Sequence, residues 1–209
     1  TDIPAMRSLW VWCLALHMAV SDVQLRGASD TSVSTSPPNL VLMLADDMGY
    51  GDLGANTQDP SETPNLDALA TSGIRFTDMH AGASVCTPAR SALMTGRLGM
   101  RTGMHSNFGM AAIAGLNLTE IALPALLNRG GKVFDTLMVG KWHLGMKTAD
   151  YLPSHRGYDK YFGYYSGVMD YWTHGLNGPS PHSGGLDLHE GGADFNGGSW
   201  PRGQLDKAI

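Results

Sequence analysis

The run LVLMLA, Leu40 to Ala45, stops abruptly at two adjacent aspartates, Asp46 and Asp47, and it narrows the choice of fold more than any other segment. Its apolar residues do not alternate with polar ones. A strand formed here is therefore expected to be covered on both faces, as in a parallel sheet flanked by helices. The two carboxylates then stand at the carboxyl end of that strand, where such folds collect their sites.

The segments that follow keep the same alternation of elements. In TPNLDALATSG, Thr63 is placed to cap a helix, Pro64 to occupy its first turn and Gly73 to end it in a left-handed conformation. IRFTDM, residues 74 to 79, alternates like a strand, and in SVCTPARSALMTGR, residues 84 to 97, Pro88 sits where a helix begins. LTEIALPALLNRGG reads as a helix kinked near Pro124 and closed by Gly130, and VFDTLMVG as a strand that delivers KWHLG to its end. Strand, helix, strand, helix, strand is the order of an α/β fold with a mixed, largely parallel sheet. From about Gly175 the chain becomes glycine-rich without periodicity and reads as loop.

Composition excludes some functions. With 43% hydrophobic and 16% charged residues in 209, the chain can bury a core. A net charge of -5 supplies no basic face for nucleic acid. Met6 to Val20 carries one basic residue and then an apolar run from Leu9, too short for a transmembrane anchor and of the length of a secretory signal. The expected organisation is a signal peptide over residues 1–21, with 1–5 upstream of the start at Met6, a Ser/Thr/Pro-rich linker over 22–38 and one domain over 39–209. This places the protein in the secretory pathway, in a lysosome or outside the cell. Asn117 in NLT is a glycosylation acceptor pattern of the kind secreted chains carry. Removal of the signal would also remove Cys13, leaving Cys86 as the sole cysteine. A lone cysteine forms no internal disulfide and is either buried and inert or reactive.

Three groups of residues could carry chemistry. Asp46 and Asp47 offer hard oxygen ligands suited to Ca²⁺ or Mg²⁺, and a solvated turn is the alternative. Cys86 begins a predicted helix, and Arg90 follows one turn later on the same face, so an anion could be held between them; a buried apolar cysteine beside a surface arginine is the alternative. Lys141 and His143, one residue apart on an extended segment, would point the same way, one to hold an anion and the other to move a proton. Together they describe a site for transfer of an oxyanion group, sulfate or phosphate.

PNLVLMLADDMGYGDLG, TPNLDALATSGIRFTDMHAGASVCTPARSALMTGR and VGKWHLG resemble, in order and spacing, the sulfatases of the alkaline-phosphatase-like superfamily. LPSHRGYDKYFGYYSGVMDYWTH looks closest to the arylsulfatase B type, which acts on sulfated N-acetylgalactosamine. The resemblance implies a sulfuric ester hydrolase whose Cys86, within Cys-x-Pro-x-Arg, is converted to formylglycine by a formylglycine-generating enzyme. A hydrated aldehyde has two hydroxyls, one to attack sulfur and one whose deprotonation then expels sulfate. It further implies that Asp46, Asp47 and the modified Cys86 bind Ca²⁺, that Arg90 stabilises the hydrate, that Lys141 binds the substrate's sulfate and that His143 takes the proton. Ala89 stands where the family commonly has serine. The family's later elements, a second histidine, an Asp-Asn pair and another lysine, have no assignable counterpart up to Ile209, and His155, His174, His182 and His189 receive no role. The chain is thus read as the N-terminal part of a sulfatase catalytic domain, inactive by itself. Two other functions are compatible with the residues: a non-catalytic secreted fragment or pseudoenzyme that binds sulfated glycans, and a phosphoesterase of the same superfamily, which its Cys-Thr-Pro-Ala-Arg disfavours.

Overall fold

The computed structural model describes residues 37–57, 63–109, 112–176 and 185–192, and the chain divides into two units, Thr1–Ala81 and Gly82–Ile209. The signal segment, most of the linker and His182 lie outside the described residues.

In the first unit, two short helices are tied together by side chains. Helix α1 (Gly54–Thr57) has its first N–H groups taken by α2 (Pro64–Ser72) and the residue before it. Gly54 N donates to Thr63 Oγ1 at 2.9 Å, and Ala55 N to Asp67 Oδ1 at 2.7 Å. A helix start leaves N–H groups without intrahelical partners, and here the neighbouring segment satisfies them. Thr63 is the N-cap of α2, and Pro64 opens it as expected, but the Thr63 hydroxyl donates to Asp67 and makes no cap bond to its own helix. Gly73 ends α2 with φ -109°, outside the left-handed region expected of it.

The two expected strands of this unit do not form. Leu40–Ala45 has no ladder partner among the described residues, and Val41 is 59% exposed. Backbone groups of a strand need a neighbour to pair with, and an apolar sequence does not supply one. Asp46 and Asp47 are accordingly exposed instead of standing at a buried strand end. Residues 74–79 likewise form no strand, with Ile74 and Phe76 exposed.

The second unit holds the sheet. Helix α3 (Cys86–Thr95) starts after the extended Val85 and buries Thr87, Pro88, Ala89, Ser91 and Met94. It ends at Gly96, whose φ of 67° is left-handed and accessible to glycine at little cost. Helix α4 (Gly99–Thr102) follows, and α5 (Leu123–Leu127) comes next in the chain. Pro124 lies in the first turn of α5, so it starts a short helix instead of kinking a longer one.

Strand β1 (Leu137–Lys141) runs parallel to β2 (Lys160–Tyr164), pairing Lys141 with Tyr164, and β2 is antiparallel to β3 (His189–Gly192). The observed sheet is thus mixed, in the order β1, β2, β3. β1 begins four residues later than the apolar run VFDTLMVG and extends to Lys141. Its two faces differ: Leu137 and Val139 are 63% and 77% exposed, while Met138 packs against the core.

That core gathers Met94 of α3, Leu116, Ala122, Trp142, Leu144, Leu152, Tyr161 and Tyr165. Full burial of an apolar side chain such as Leu116 or Leu144 stabilises by about 1.5 to 3 kcal/mol. The parallel pairing requires a crossover, and residues 142–159 provide it through two 3₁₀ turns, Ala149–Tyr151 and Pro153–Arg156. Buried Arg156 anchors this crossover by donating to the carbonyls of Asn117 and Glu120 at 3.2 and 2.8 Å. Among the described residues, no helix is long and apolar enough to cross a membrane.

Candidate active site at the start of α3 and the end of β1

The end of β1 and the start of α3 bring three of the expected residues together. Lys141, the last residue of β1, is buried, and its Nζ donates to Cys86 Sγ at 3.0 Å. Arg90, one turn after Cys86 on α3, donates from Nη1 to the Lys141 carbonyl at 2.5 Å. Lys141 thus presents its cation to the sulfur at a helix start, and Arg90 is anchored to the same residue through its carbonyl. A lysine taken out of water is costly unless partnered, and the cysteine sulfur is one of its partners.

His143 reaches the same region by a different route from the one its spacing predicts. The strand ends at Lys141, and His143 has a φ of 54°, so the extended geometry that would aim both side chains alike does not apply. A left-handed non-glycine residue costs on the order of 1 kcal/mol and persists where its surroundings hold it. Several contacts do so. His143 N donates to the Tyr165 carbonyl at 3.1 Å. The His143 carbonyl accepts from the Thr87 hydroxyl at 3.1 Å, and Nε2 lies 3.0 Å from the Phe108 carbonyl. Phe108 also meets the imidazole edge to face at 5.3 Å, and Gly167 lies so close that a Cβ there would fall 2.6 Å from Cε1.

Beyond the site, Asp187 fixes the loop that contains Gly167. Its buried carboxylate accepts from Tyr165 N, Ser166 N and His189 Nε2 at 3.1, 2.9 and 2.9 Å. Burial opposes the charge, but the His189 hydrogen bond and the Ser166 and Tyr165 donors outweigh it, leaving the carboxyl below its usual range. His189 also stacks on Tyr165 at 4.2 Å. His174 contributes its backbone to the same loop, accepting from Asp187 N at 2.9 Å, and His155 is exposed.

Asp46 and Asp47 belong to the first unit, and Asp47 has a φ of 58°. Their carboxylates fit a hard cation in kind. They do not fit it in number, since Ca²⁺ takes 6 to 8 oxygens and no group of three or more metal-ligating side chains occurs among the described residues.

Sequence reasoning missed Thr87, Asn107, Phe108, Gly167 and Asp187. Thr87 adjoins Cys86, so its neighbourhood was a signal. The others are set by contacts 20 or more residues apart in the chain, which no local pattern encodes.

A family model described as Sulfatase matches residues 38–208. Arylsulfatase G of Rattus norvegicus is 52% identical over 126 residues, 60% of this chain and 23% of that protein. Arylsulfatase A of Homo sapiens is 46% identical over 129 residues, covering 61% and 25%. N-acetylgalactosamine-6-sulfatase of Sus scrofa is 38% identical over 160 residues, covering 73% and 29%. Among solved structures, that of Ps i-CgsB superposes with a TM-score of 0.56 at 37% identity over 60% of this chain and 28% of its own. A second structure of that protein is a complex with k-i-k-neocarrahexaose. The chain therefore spans about a quarter of the length of the relatives it matches. Its α/β architecture with a mixed sheet agrees with the alkaline-phosphatase-like superfamily, and the chain belongs to the sulfatase family.

Proposed function

We propose that the protein is an arylsulfatase-like sulfuric ester hydrolase, cleaving a sulfate ester with water to an alcohol and sulfate, and that Cys86 is converted to formylglycine to serve as its nucleophile. The observation that carries this reading is the Cys86, Lys141 and Arg90 cluster, with Nζ 3.0 Å from Sγ and Nη1 2.5 Å from the Lys141 carbonyl. The sulfur marks the position of the oxygen that conversion would install.

A hydrated formylglycine supplies two hydroxyls on one carbon, so that attack and release each have an oxygen. Lys141 then neutralises the sulfate oxygens as charge develops, and fixed donors of this kind lower a barrier without reorganising. Arg90 holds Lys141 through its carbonyl and stabilises the hydrate by its charge. With Nε2 directed to the Phe108 carbonyl, Nδ1 is the acceptor of the neutral His143 ring, and it takes the proton of the second hydroxyl. The sulfatase resemblance supports a Ca²⁺ in the full-length protein, for which Asp46 and Asp47 would be two of the oxygen ligands and which would supply Lewis-acid neutralisation of a sulfate oxygen.

The substrate class is a sulfated carbohydrate, with small aryl sulfates as surrogates. The names of the N-acetylgalactosamine-6-sulfatase relative and of the neocarrahexaose complex support it, as does the arylsulfatase B resemblance. A secretory or lysosomal location and a formylglycine-generating enzyme as partner accompany this reading. Exposed Asn117 suits glycosylation, and within NLT its side chain accepts from the Thr119 hydroxyl at 3.0 Å.

Turnover of matched aryl sulfate and aryl phosphate esters, with and without a chelator, tests the proposal in the full-length protein. Sulfate hydrolysis abolished by the chelator is the expected result. Preference for phosphate would establish the phosphoesterase alternative, and glycan binding without turnover the non-catalytic one.

A further inference from the structure

Helix α3 has an unusual start. Its N-cap, Val85, has no side-chain acceptor, although the first N–H groups of a helix need partners outside it. Asn107, 20 residues away, provides one, its Oδ1 accepting from Thr87 N at 2.8 Å. The next residue, Phe108, presents its carbonyl to His143 Nε2 at 3.0 Å. A carbonyl can only accept, so this contact places the proton on Nε2 and the basic lone pair of the neutral ring on Nδ1. The Thr87 hydroxyl, fully buried, then donates to the His143 carbonyl at 3.1 Å. These contacts form a closed circuit: Thr87 to Asn107, along the chain to Phe108, across to His143 and back to Thr87. Each link adjoins a residue of the reaction, Cys86 on one side and the His143 imidazole on the other.

We propose that Asn107 is a positioning residue that sets the start of α3 under Cys86 and, through the Phe108 carbonyl, the orientation and tautomer of His143. The inference rests on the reading above, in which Cys86 and His143 act in the reaction. A cap that only stabilised the helix would act on α3 alone. Asn107 has Phe108 joined to it covalently, so releasing its amide from Thr87 N loosens both ends of the circuit.

The test uses the full-length protein with Asn107→Ala, which removes the acceptor, and Asn107→Asp, which keeps one and adds charge favourable at a helix start. Mass spectrometry of the Cys86 peptide first establishes that conversion is equal in the parent and both variants. Displacement of reacting groups by fractions of an ångström lowers turnover steeply, so kcat for an aryl sulfate is expected to fall about tenfold or more in Asn107→Ala, with KM changed less than about twofold. Asn107→Asp is expected to restore most of kcat. In ¹⁵N spectra, the His143 ring is expected to carry its proton on Nε2 in the parent and in Asn107→Asp, and to divide between tautomers in Asn107→Ala.

An unchanged tautomer in Asn107→Ala overturns the proposal, as does a loss of kcat that follows melting temperature and is not restored by aspartate. A parent protein that hydrolyses no sulfate ester would refute the proposed reaction, and the tautomer measurement would still decide on the circuit.

Discussion

At the residue scale, the site depends on close packing around His143 as much as on the residues that carry charge. Gly167 abuts the imidazole, and the Cβ of an alanine there would lie 2.6 Å from Cε1 and 2.9 Å from Nε2. The ring or the Gly167 backbone must shift to admit it, which disturbs the Nε2 contact with the Phe108 carbonyl. Gly167→Ala is expected to lower kcat by about tenfold or more while leaving formylglycine conversion unchanged, as steady-state kinetics and peptide mass would show. Lys141 makes a different kind of contribution. Lys141→Met keeps most of the buried stem and deletes the donor to Cys86, so kcat is expected to fall by about 10²-fold or more. Because a buried cation is also removed, the melting temperature should hold or rise. A fall in stability that tracked the loss of activity would show that Lys141 is structural.

The scale of elements explains why β1 delivers Lys141 where it does. β1 and β2 meet at Gly140 and Gly163, and a Cβ at Gly163 would lie 2.0 Å from the Gly140 carbonyl oxygen. Gly163→Ala is therefore expected to separate the strands and destabilise the unit by about 1 to 3 kcal/mol, read as a lower urea midpoint. The opposite end of the pair is held electrostatically. Asp159 accepts from Thr136 N at 2.7 Å and pairs with Lys132. The Lys132 hydrogen bond first, and the Thr136 N–H next, lower its carboxyl from 3.8 to about 2. Folded Asp159 thus stays charged where the unfolded residue protonates. Its contribution to stability is complete above about pH 4 and is lost as pH falls toward about 2. Asp159→Asn should flatten the pH dependence of the urea midpoint across that window, and an unchanged slope would contradict the pairing.

At the scale of the whole molecule, the residues of the candidate site were more legible in the sequence than the elements that carry them. Cys86 and Arg90 were readable because a helix start fixes their spacing, and Pro88 marked that start. Lys141 was readable as the end of an apolar strand. The start of β1 was not, because Val133 to Thr136 are equally apolar or β-branched in part, and only pairing with β2 decides where the ladder begins. Leu40–Ala45 shows the same limit more strongly: an apolar run records a tendency to be buried, whereas a strand needs a partner that sequence pattern alone does not locate. His143 was found for its chemistry and misjudged in geometry, since its left-handed backbone answers to Thr87, Phe108 and Tyr165, all distant in sequence. In the proposed function, the thiol of Cys86 is a precursor of formylglycine. Mass spectrometry of the peptide containing Cys86, from protein made in its native secretory pathway, measures this most directly. The expected result is formylglycine at position 86, and an intact thiol in that peptide would contradict the proposed mechanism.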